Sequence, residues 1–134
     1  MQQLEQWLAQ FDRLPLECDG LTRCISTLMQ RDGIEHRILV GSLDIPSVGT
    51  IDYHWWLALP DGQLCDFRAR MWLGEDPSVP HGLFIPEAHH GYKVHDEMVP
   101  SKERLKPAIF TVLAGEPMER FVAFGTKPVP DPEP

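Results

Sequence analysis

The hydrophobic positions at the start of the chain follow a helical repeat. Leu4, Trp7, Leu8 and Phe11 are spaced at i, i+3, i+4 and i+7, which places them on one face of a helix. Pro15 cannot continue that helix, because proline lacks the backbone N–H that the next turn needs. The pattern predicts a first amphipathic helix that covers the core and ends before this proline.

A second amphipathic helix is predicted from Cys18 or Asp19 to Asp32. Its apolar stripe comprises Leu21, Cys24, Ile25, Leu28 and Met29. Asp19 is the expected N-cap, and Gly33 is the expected glycine at the C-terminal end. Cys18 falls about one helical turn before the stripe. We therefore expect it at the N-terminal tip of the helix, on the edge of the buried face.

Three strands are predicted to follow this helix. Residues 36–43 form the first, residues 51–59 the second and residues 63–69 the third. The last two are joined by Pro60-Asp61-Gly62, where proline suits the second position of a type I turn and glycine suits a left-handed residue after it. This pattern predicts a β-hairpin between the second and third strands.

The three-residue loop of the hairpin sets the pairing of its strands. Trp56 then lies opposite Asp66, and His54 opposite Arg68; directly opposed residues point to the same side of a sheet. His54 and Asp66 become diagonal neighbours, with backbones roughly 7–8 Å apart. A slip of one residue would place them on opposite faces. The other face is predicted to be a core of Tyr53, Trp55, Leu57, Cys65 and Phe67.

The second half of the chain gives a weaker pattern. Residues 84–98 show mixed polarity and predict no clear element, whereas residues 108–113 and 120–124 predict two more strands, joined by a turn at 115–117. Residues 127–134 are rich in proline and predict an extended or disordered tail. We therefore expect one domain over residues 1–126, in which the part after residue 75 shapes the cleft.

Composition narrows the class of protein. The chain has 134 residues and a net charge of -8, and its twelve lysines and arginines are scattered, which argues against a nucleic-acid partner. Three cysteines without a CxxC pair favour a reducing compartment over a disulfide framework. No signal peptide or membrane-spanning run is visible. The expected location is the cytoplasm, with no membrane partner; oligomeric state stays open.

Cys18, His54 and Asp66 have the residue types of a nucleophilic site. The start of a helix favours a thiolate, because unpaired N–H groups and the helix dipole stabilise an anion there. An imidazole can take the thiol proton, and a carboxylate can hold the imidazole in the required tautomer. The alternative is that Cys18 is a small buried residue, as free cysteines often are.

Other residues compete for a functional role. Cys24 lies mid-helix on the apolar stripe, and Cys65 points away from Asp66, so both are expected to be packed in the core. Trp56 and Arg68 share the predicted face of His54 and are candidates for substrate binding. No metal is expected, because the spacing of the remaining histidines does not match a zinc site. These are His81, His89, His90 and His95.

The stretch from Cys18 to Arg37 resembles the transglutaminase-like cysteine protease superfamily. In that family a cysteine begins a helix, and a Gly-Ile-Pro-Ala-Arg-like segment leads into a strand; here the segment is Gly33-Ile34-Glu35-His36-Arg37. A His-x-Trp on the next strand is matched by His54-Trp55-Trp56, and the following aspartate by Asp66. The resemblance covers about residues 16–70. It departs from the family where Glu-His replaces Pro-Ala and where Phe67 replaces the proline after the aspartate.

The resemblance implies an α+β fold in which the cysteine-bearing helix packs on an antiparallel sheet, as in a transglutaminase-like or papain-like core. It implies a Cys18–His54–Asp66 triad that acts on a peptide or amide substrate through a thioester. Hydrolysis is the first choice, because nothing resembles a coenzyme or calcium site, and no cofactor is expected. Acyl transfer on the same triad, or a non-catalytic binding or accessory protein of the same fold, remains the alternative.

Overall fold

The computed structural model describes residues 2–125 and has an α+β architecture, as predicted. Helices and strands alternate irregularly along the chain, and a 3₁₀ turn at Met118–Arg120 follows the last helix. The elements are α1 (Gln2–Ala9), α2 (Cys18–Arg31), β1 (Arg37–Ile45), β2 (Gly49–Ala58), β3 (Leu64–Asp66), α3 (Ala69–Leu73), β4 (Gly82–Phe84), β5 (Gly91–Met98), α4 (Pro100–Glu103) and α5 (Pro107–Ala114).

The five strands form one antiparallel sheet in the order β4-β3-β2-β1-β5. Successive strands from β1 to β4 are neighbours, whereas β5 returns along the outer edge of β1. The two ends of the sheet are therefore the three-residue strand β4 and the eight-residue strand β5. This order places β2 at the centre, and residues 54–58 of this strand are buried on both faces of the sheet.

Helix α2 begins at Cys18, at one edge of the predicted range. Glu17 precedes it in an extended conformation without a side-chain cap, so Asp19 is not the N-cap that we expected. At the other end Gly33 adopts a positive φ of 73°, and the N–H of Ile34 donates to the carbonyl of Met29. These are the features of a glycine-terminated helix, as predicted for Gly33.

The predicted hairpin register is confirmed. The N–H of Leu59 donates to the carbonyl of Gln63 at 2.8 Å, and Leu57 pairs with Cys65. Gly62 has a φ of 92°, the left-handed conformation that the turn requires. The third strand is shorter than predicted, because it ends at Asp66 and the chain enters α3 at residue 69 instead of continuing to that point as a strand.

The sheet divides the apolar residues into two packed layers. Helices α1, α2 and α5 cover one face, where the core includes Val40, Trp55, Leu57 and Cys65. The opposite face carries two smaller clusters, which hold Leu39, Leu43, Ile51, Trp56, Ala58, Ala69 and Val79. Tyr92 of β5 packs against both of these smaller clusters. His54 is a fully buried residue of the central strand.

The strand predictions for the C-terminal part were wrong. Residues 108–113 lie in helix α5, which has Pro107 at its first turn and Gly115 in a left-handed conformation after its end. Both positions favour a helix, and they outweigh the strand propensity of the apolar run between them. Residue 120 ends a 3₁₀ turn, and residues 121–124 follow it without forming a strand. The proline-rich tail lies outside the described residues.

Within residues 2–125, no helix has the length and apolar character needed to cross a membrane.

Candidate active site

Cys18 is the first residue of α2. The opening N–H groups of a helix have no partner within it, so they point as donors toward the region of this thiol. The Cys18 residue retains 9 % of its surface, which makes it almost buried. The thiol therefore has a small exposed surface and lies at a helix end that is rich in hydrogen-bond donors.

His54 and Asp66 form a buried pair beneath this helix end. Nε2 of His54 donates a hydrogen bond to Oδ2 of Asp66 at 2.7 Å, and the two side chains are 0 % and 1 % exposed. Because Nε2 carries this hydrogen in the neutral ring, Nδ1 has the free lone pair. Nδ1 is buried and has no hydrogen-bond partner of ordinary geometry among residues 2–125. It is the nitrogen that remains for the nearby Cys18.

The surroundings of His54 favour its protonated form. Burial lowers the pKa of the imidazole, but the hydrogen bond to Asp66 and the neighbouring Cys18 side chain raise it, and the balance lies at about 9. For Asp66, burial raises the pKa, yet the bonds from His54, Tyr92 and the Arg68 backbone lower it below its ordinary value. The pair is therefore an imidazolium and a carboxylate at neutral pH.

Asp66 accepts hydrogen bonds at both carboxylate oxygens. The backbone N–H groups of Arg68 and Ala69 donate to Oδ1 at 3.0 and 3.1 Å, which also satisfies the start of α3. The hydroxyl of Tyr92 donates to Oδ2 at 2.7 Å, beside the bond from His54. Four donors thus stabilise the buried charge of Asp66, as such a group requires.

Trp56 lies behind the candidate triad. Its ring stacks on His54 with centroids 6.0 Å apart and contacts Tyr92 at 4.8 Å. Trp56 is 1 % exposed, so a bound molecule could not reach it in this conformation. The structure therefore places Trp56 as a wall that packs against the imidazole, and not at the substrate surface where we expected it.

Arg68 does not lie opposite His54 on the same face of the sheet, as the predicted hairpin required. Strand β3 ends before it, and its side chain packs against the segment of residues 12–16 that leads into Cys18. Its five N–H bonds go to the side chain of Asp12 and to backbone carbonyls of Asp12, Leu14, Leu16 and Phe67, at 2.6–3.0 Å. Since a guanidinium has five N–H donors, none remains for a substrate.

The other two cysteines are packed in the core, as predicted. Cys24 is 0 % exposed, and burial raises the pKa of its thiol to about 12. Burial and the charges of Asp66 and Asp12 also raise the pKa of Cys65 well above its ordinary value. Both thiols are therefore protonated and unreactive at neutral pH, because only a thiolate is an effective nucleophile.

Two cavities meet near Cys18. A very small one of about 10 Å³ touches Cys18 itself, together with Asp66, Phe67 and Arg68. A wider cleft of about 510 Å³ opens beside it and shares Phe67 and Arg68 with the first. The cleft is further lined by Asp12, Leu14, Pro15, Leu16, Glu17, Arg70, Met71, Glu75 and His81. Phe67 and Arg68 therefore form the boundary that the small cavity at the thiol shares with the wider cleft.

The remaining histidines lie apart from the triad. Nε2 of His81 donates to Oδ2 of Asp12 at 2.9 Å at the cleft, whereas His95 is exposed on β5. Glu87, His89 and His90 have potential ligand atoms within 4.8 Å of one another. However, Nδ1 of His90 accepts from the N–H of Glu87, so Nε2 of the neutral ring carries a proton. This group offers two ready ligands, fewer than a stable zinc site uses.

Tyr92 was not among the candidates from the sequence. It lies on a strand that the mixed pattern of residues 84–98 did not reveal, and it reaches Asp66 only because β5 folds back beside β1.

No protein-family model matches the chain, and comparisons with curated proteins and with solved structures found no match.

Proposed function

We propose that this protein is a cysteine-dependent hydrolase of the peptidase, amidase or deamidase type, with Cys18, His54 and Asp66 as its catalytic triad. The observation that carries the proposal is the orientation of His54: its Nε2 bonds to Asp66 at 2.7 Å, which leaves Nδ1 for Cys18. The resemblance of residues 16–70 to the transglutaminase-like superfamily supports the assignment of the same three residues as the triad. We include a transglutaminase-like core in the proposal.

The proposed reaction begins from a thiolate–imidazolium pair, in which the thiol proton of Cys18 already lies on Nδ1 of His54. The sulfur attacks the substrate carbonyl carbon, and the carbonyl electron pair moves onto oxygen. When this electron pair re-forms the C=O bond, the C–N bond breaks and the imidazolium gives its proton to the leaving amine. A thioester remains on Cys18. Neutral His54 then takes a proton from water, and the oxygen attacks the thioester. The acid is released, and the Cys18 thiolate is restored beside the His54 imidazolium.

Asp66 and the start of α2 support these steps. Asp66 holds the Nε2–H tautomer and stabilises the imidazolium without itself taking up a proton. The oxyanion is assigned to the backbone N–H of Cys18, which lies at the first position of the helix. Since the triad needs a reduced thiol, we place the protein in a reducing compartment, the cytoplasm, in agreement with its three free cysteines.

Mild alkylation tests this proposal. The protein is treated with iodoacetamide at pH 7, and the modified cysteines are mapped by mass spectrometry. We expect fast labelling of Cys18, no labelling of Cys24 or Cys65 in the folded protein, and loss of the fast phase in His54→Ala. His95→Ala, at an exposed position, is the control. Equal and slow labelling of all three cysteines, unchanged in His54→Ala, would overturn the proposal.

The near burial of Cys18 supports a second candidate, a non-catalytic binding or accessory protein with the same fold. Cys18 retains 9 % of its surface, and the cavity that touches it holds about 10 Å³. This candidate predicts a ligand in the wider cleft and an inert thiol. The alkylation experiment separates the two, because only the hydrolase requires a His54-dependent reaction at Cys18. Acyl transfer to an amine uses the same steps, with the amine in place of water.

A further inference from the structure

The hydroxyl of Tyr92 and Nε2 of His54 share one acceptor. Each lies 2.7 Å from Oδ2 of Asp66, the hydroxyl from strand β5 and the imidazole from strand β2. Burial and the neighbouring carboxylate raise the pKa of Tyr92 well above its ordinary value, so this hydroxyl keeps its proton at neutral pH. Tyr92 is therefore a permanent donor to the oxygen that pairs with His54.

The fold provides specifically for the approach of Tyr92. Strand β5 passes so close to Gly41 that a Cβ atom at this position would lie 1.8 Å from the carbonyl oxygen of Lys93, next to Tyr92. Gly41 is also the residue of β1 that pairs with His54. A glycine is thus required where β5 approaches β1, at the residue of β1 that pairs with His54.

The orientation of Asp66 does not depend on Tyr92. Two backbone N–H groups at the start of α3, those of Arg68 and Ala69, already hold Oδ1. Because these donors fix the carboxylate from its other oxygen, the hydrogen bond from Tyr92 mainly changes how much negative charge Asp66 presents to the imidazole. A donor to a carboxylate stabilises its charge and weakens its hold on a second donor.

We propose that Tyr92 is a positioning residue that sets the proton affinity of His54 by sharing Oδ2 of Asp66. The inference rests on the proposed function in one respect: the consequence for catalysis is the pH range in which Cys18 and His54 exist as a thiolate and an imidazolium. The effect on His54 itself follows from the geometry of Tyr92, Asp66 and His54 alone.

The sign of the effect follows from the two states of His54. When His54 is neutral, the buried Asp66 charge depends fully on its remaining donors, so Tyr92 stabilises this state more than the ion pair. Loss of the Tyr92 hydroxyl therefore raises the pKa of His54. The other titratable groups that face the imidazole are Cys18 from α2 and Asp66 from β3; Cys65, next to Asp66, stays protonated because burial raises the pKa of its thiol.

The test compares the wild-type protein with Tyr92→Phe, which keeps the ring packed on Trp56 and removes only the hydroxyl. Nitrogen-15 chemical shifts of the His54 imidazole are followed by NMR from pH 5 to pH 11. We expect the His54 titration to move upward by as much as about one pH unit, the size of one neutral hydrogen bond. Tyr53→Phe is the matched control, since the Tyr53 hydroxyl contacts Trp55 and its residue is exposed.

A second substitution keeps the test valid if Tyr92→Phe changes the fold. Fluorinated tyrosine at position 92 makes the hydroxyl a stronger donor and should move the His54 titration downward. An unchanged or opposite shift in a folded protein overturns the inference. If His54 shifts as expected while Cys18 stays unreactive to iodoacetamide, the role of Tyr92 stands and the hydrolase proposal fails. If Cys18 reacts in a His54-dependent manner while His54 does not shift, the hydrolase proposal stands and this inference fails.

Discussion

His54 and Asp66 are joined by a 2.7 Å hydrogen bond between Nε2 and Oδ2, although neither side chain has contact with solvent. They lie twelve positions apart in the sequence, on two strands joined by a tight turn. A buried ion pair is favourable only when its remaining polar atoms are also bonded. Tyr92 and two backbone N–H groups provide this for Asp66, whereas Nδ1 of His54 has no hydrogen-bond partner of ordinary geometry within residues 2–125.

The pKa of His54 predicts how stability changes with pH. Its folded pKa of about 9 lies above the ordinary 6.5, so its stabilisation is complete below pH 6.5 and is lost as pH rises through 9. The folded pKa of Asp66 lies below its ordinary 3.8, so its stabilisation is present above that value and is lost as pH falls through the folded pKa. We expect the highest free energy of unfolding between these limits.

Urea unfolding from pH 4 to pH 10 measures this profile. On the alkaline side His54→Gln should flatten the decline by at most about 1.4 kcal/mol per pH unit, the value for one linked proton. His95→Gln, which changes an exposed imidazole on β5, should leave the decline unchanged. An identical alkaline profile in the wild-type protein and in His54→Gln would show that this pair does not govern stability there.

Arg68 is predicted to stabilise the segment that precedes Cys18. Arg68→Lys removes the forked donor group and most of its five hydrogen bonds, among them the bond to the carbonyl of Leu16. We therefore expect a loss of about 2–4 kcal/mol in unfolding free energy. Arg70→Lys is the control, because Arg70 is only partly buried and makes one close hydrogen bond, to Val79. Chemical denaturation measures the loss of unfolding free energy in both variants. Equal losses would refute the role of Arg68.

Phe67 is predicted to limit access to Cys18. It is 9 % exposed and lines both the small cavity at the thiol and the wider cleft. Phe67→Leu should let a bulky reagent such as Ellman's reagent react with Cys18 several-fold faster, at a stability cost of about 1–2 kcal/mol. The rate with small iodoacetamide should change less. Phe124→Leu, at a partly buried position against Trp7, should alter neither rate.

The hairpin shows which part of the site could be predicted from the sequence. The register depends on three local residues, since Pro60, Asp61 and Gly62 specify a turn of known length and twist. From that turn, simple alternation places His54 and Asp66 on the same face. The position of Cys18 followed from equally local signals. It lies about one turn before the apolar stripe of α2, and a glycine follows the end of that helix.

Segment 107–114 shows where local signals misled. Its run of isoleucine, phenylalanine, threonine and valine has the propensity of a strand, and the chain nevertheless forms a helix. Phe110 and Ala114 of this helix are buried, four residues apart on one helical face. Proline at the start and glycine after the end were the signals that indicated the helix.

The roles of Arg68 and Tyr92 depend on contacts between distant parts of the chain. Arg68 was expected on the strand, but the backbone turns into α3 because Asp66 binds the N–H groups that begin it. The side chain then reaches Asp12, 56 residues away. Tyr92 reaches Asp66 across 26 residues through the pairing of β5 with β1. Neither contact has a periodic pattern that sequence reasoning could detect.

Formation of an acyl-enzyme at Cys18 tests the central claim most directly. The protein is mixed with p-nitrophenyl acetate at pH 7, and the release of p-nitrophenol is followed while the quenched protein is analysed by intact and peptide mass spectrometry. We predict a burst of product that matches the protein concentration, an acetyl thioester on Cys18, and loss of both in Cys18→Ala and His54→Ala. A burst that persists in Cys18→Ala, or acetyl groups found only on lysines, would contradict the proposed thiol mechanism.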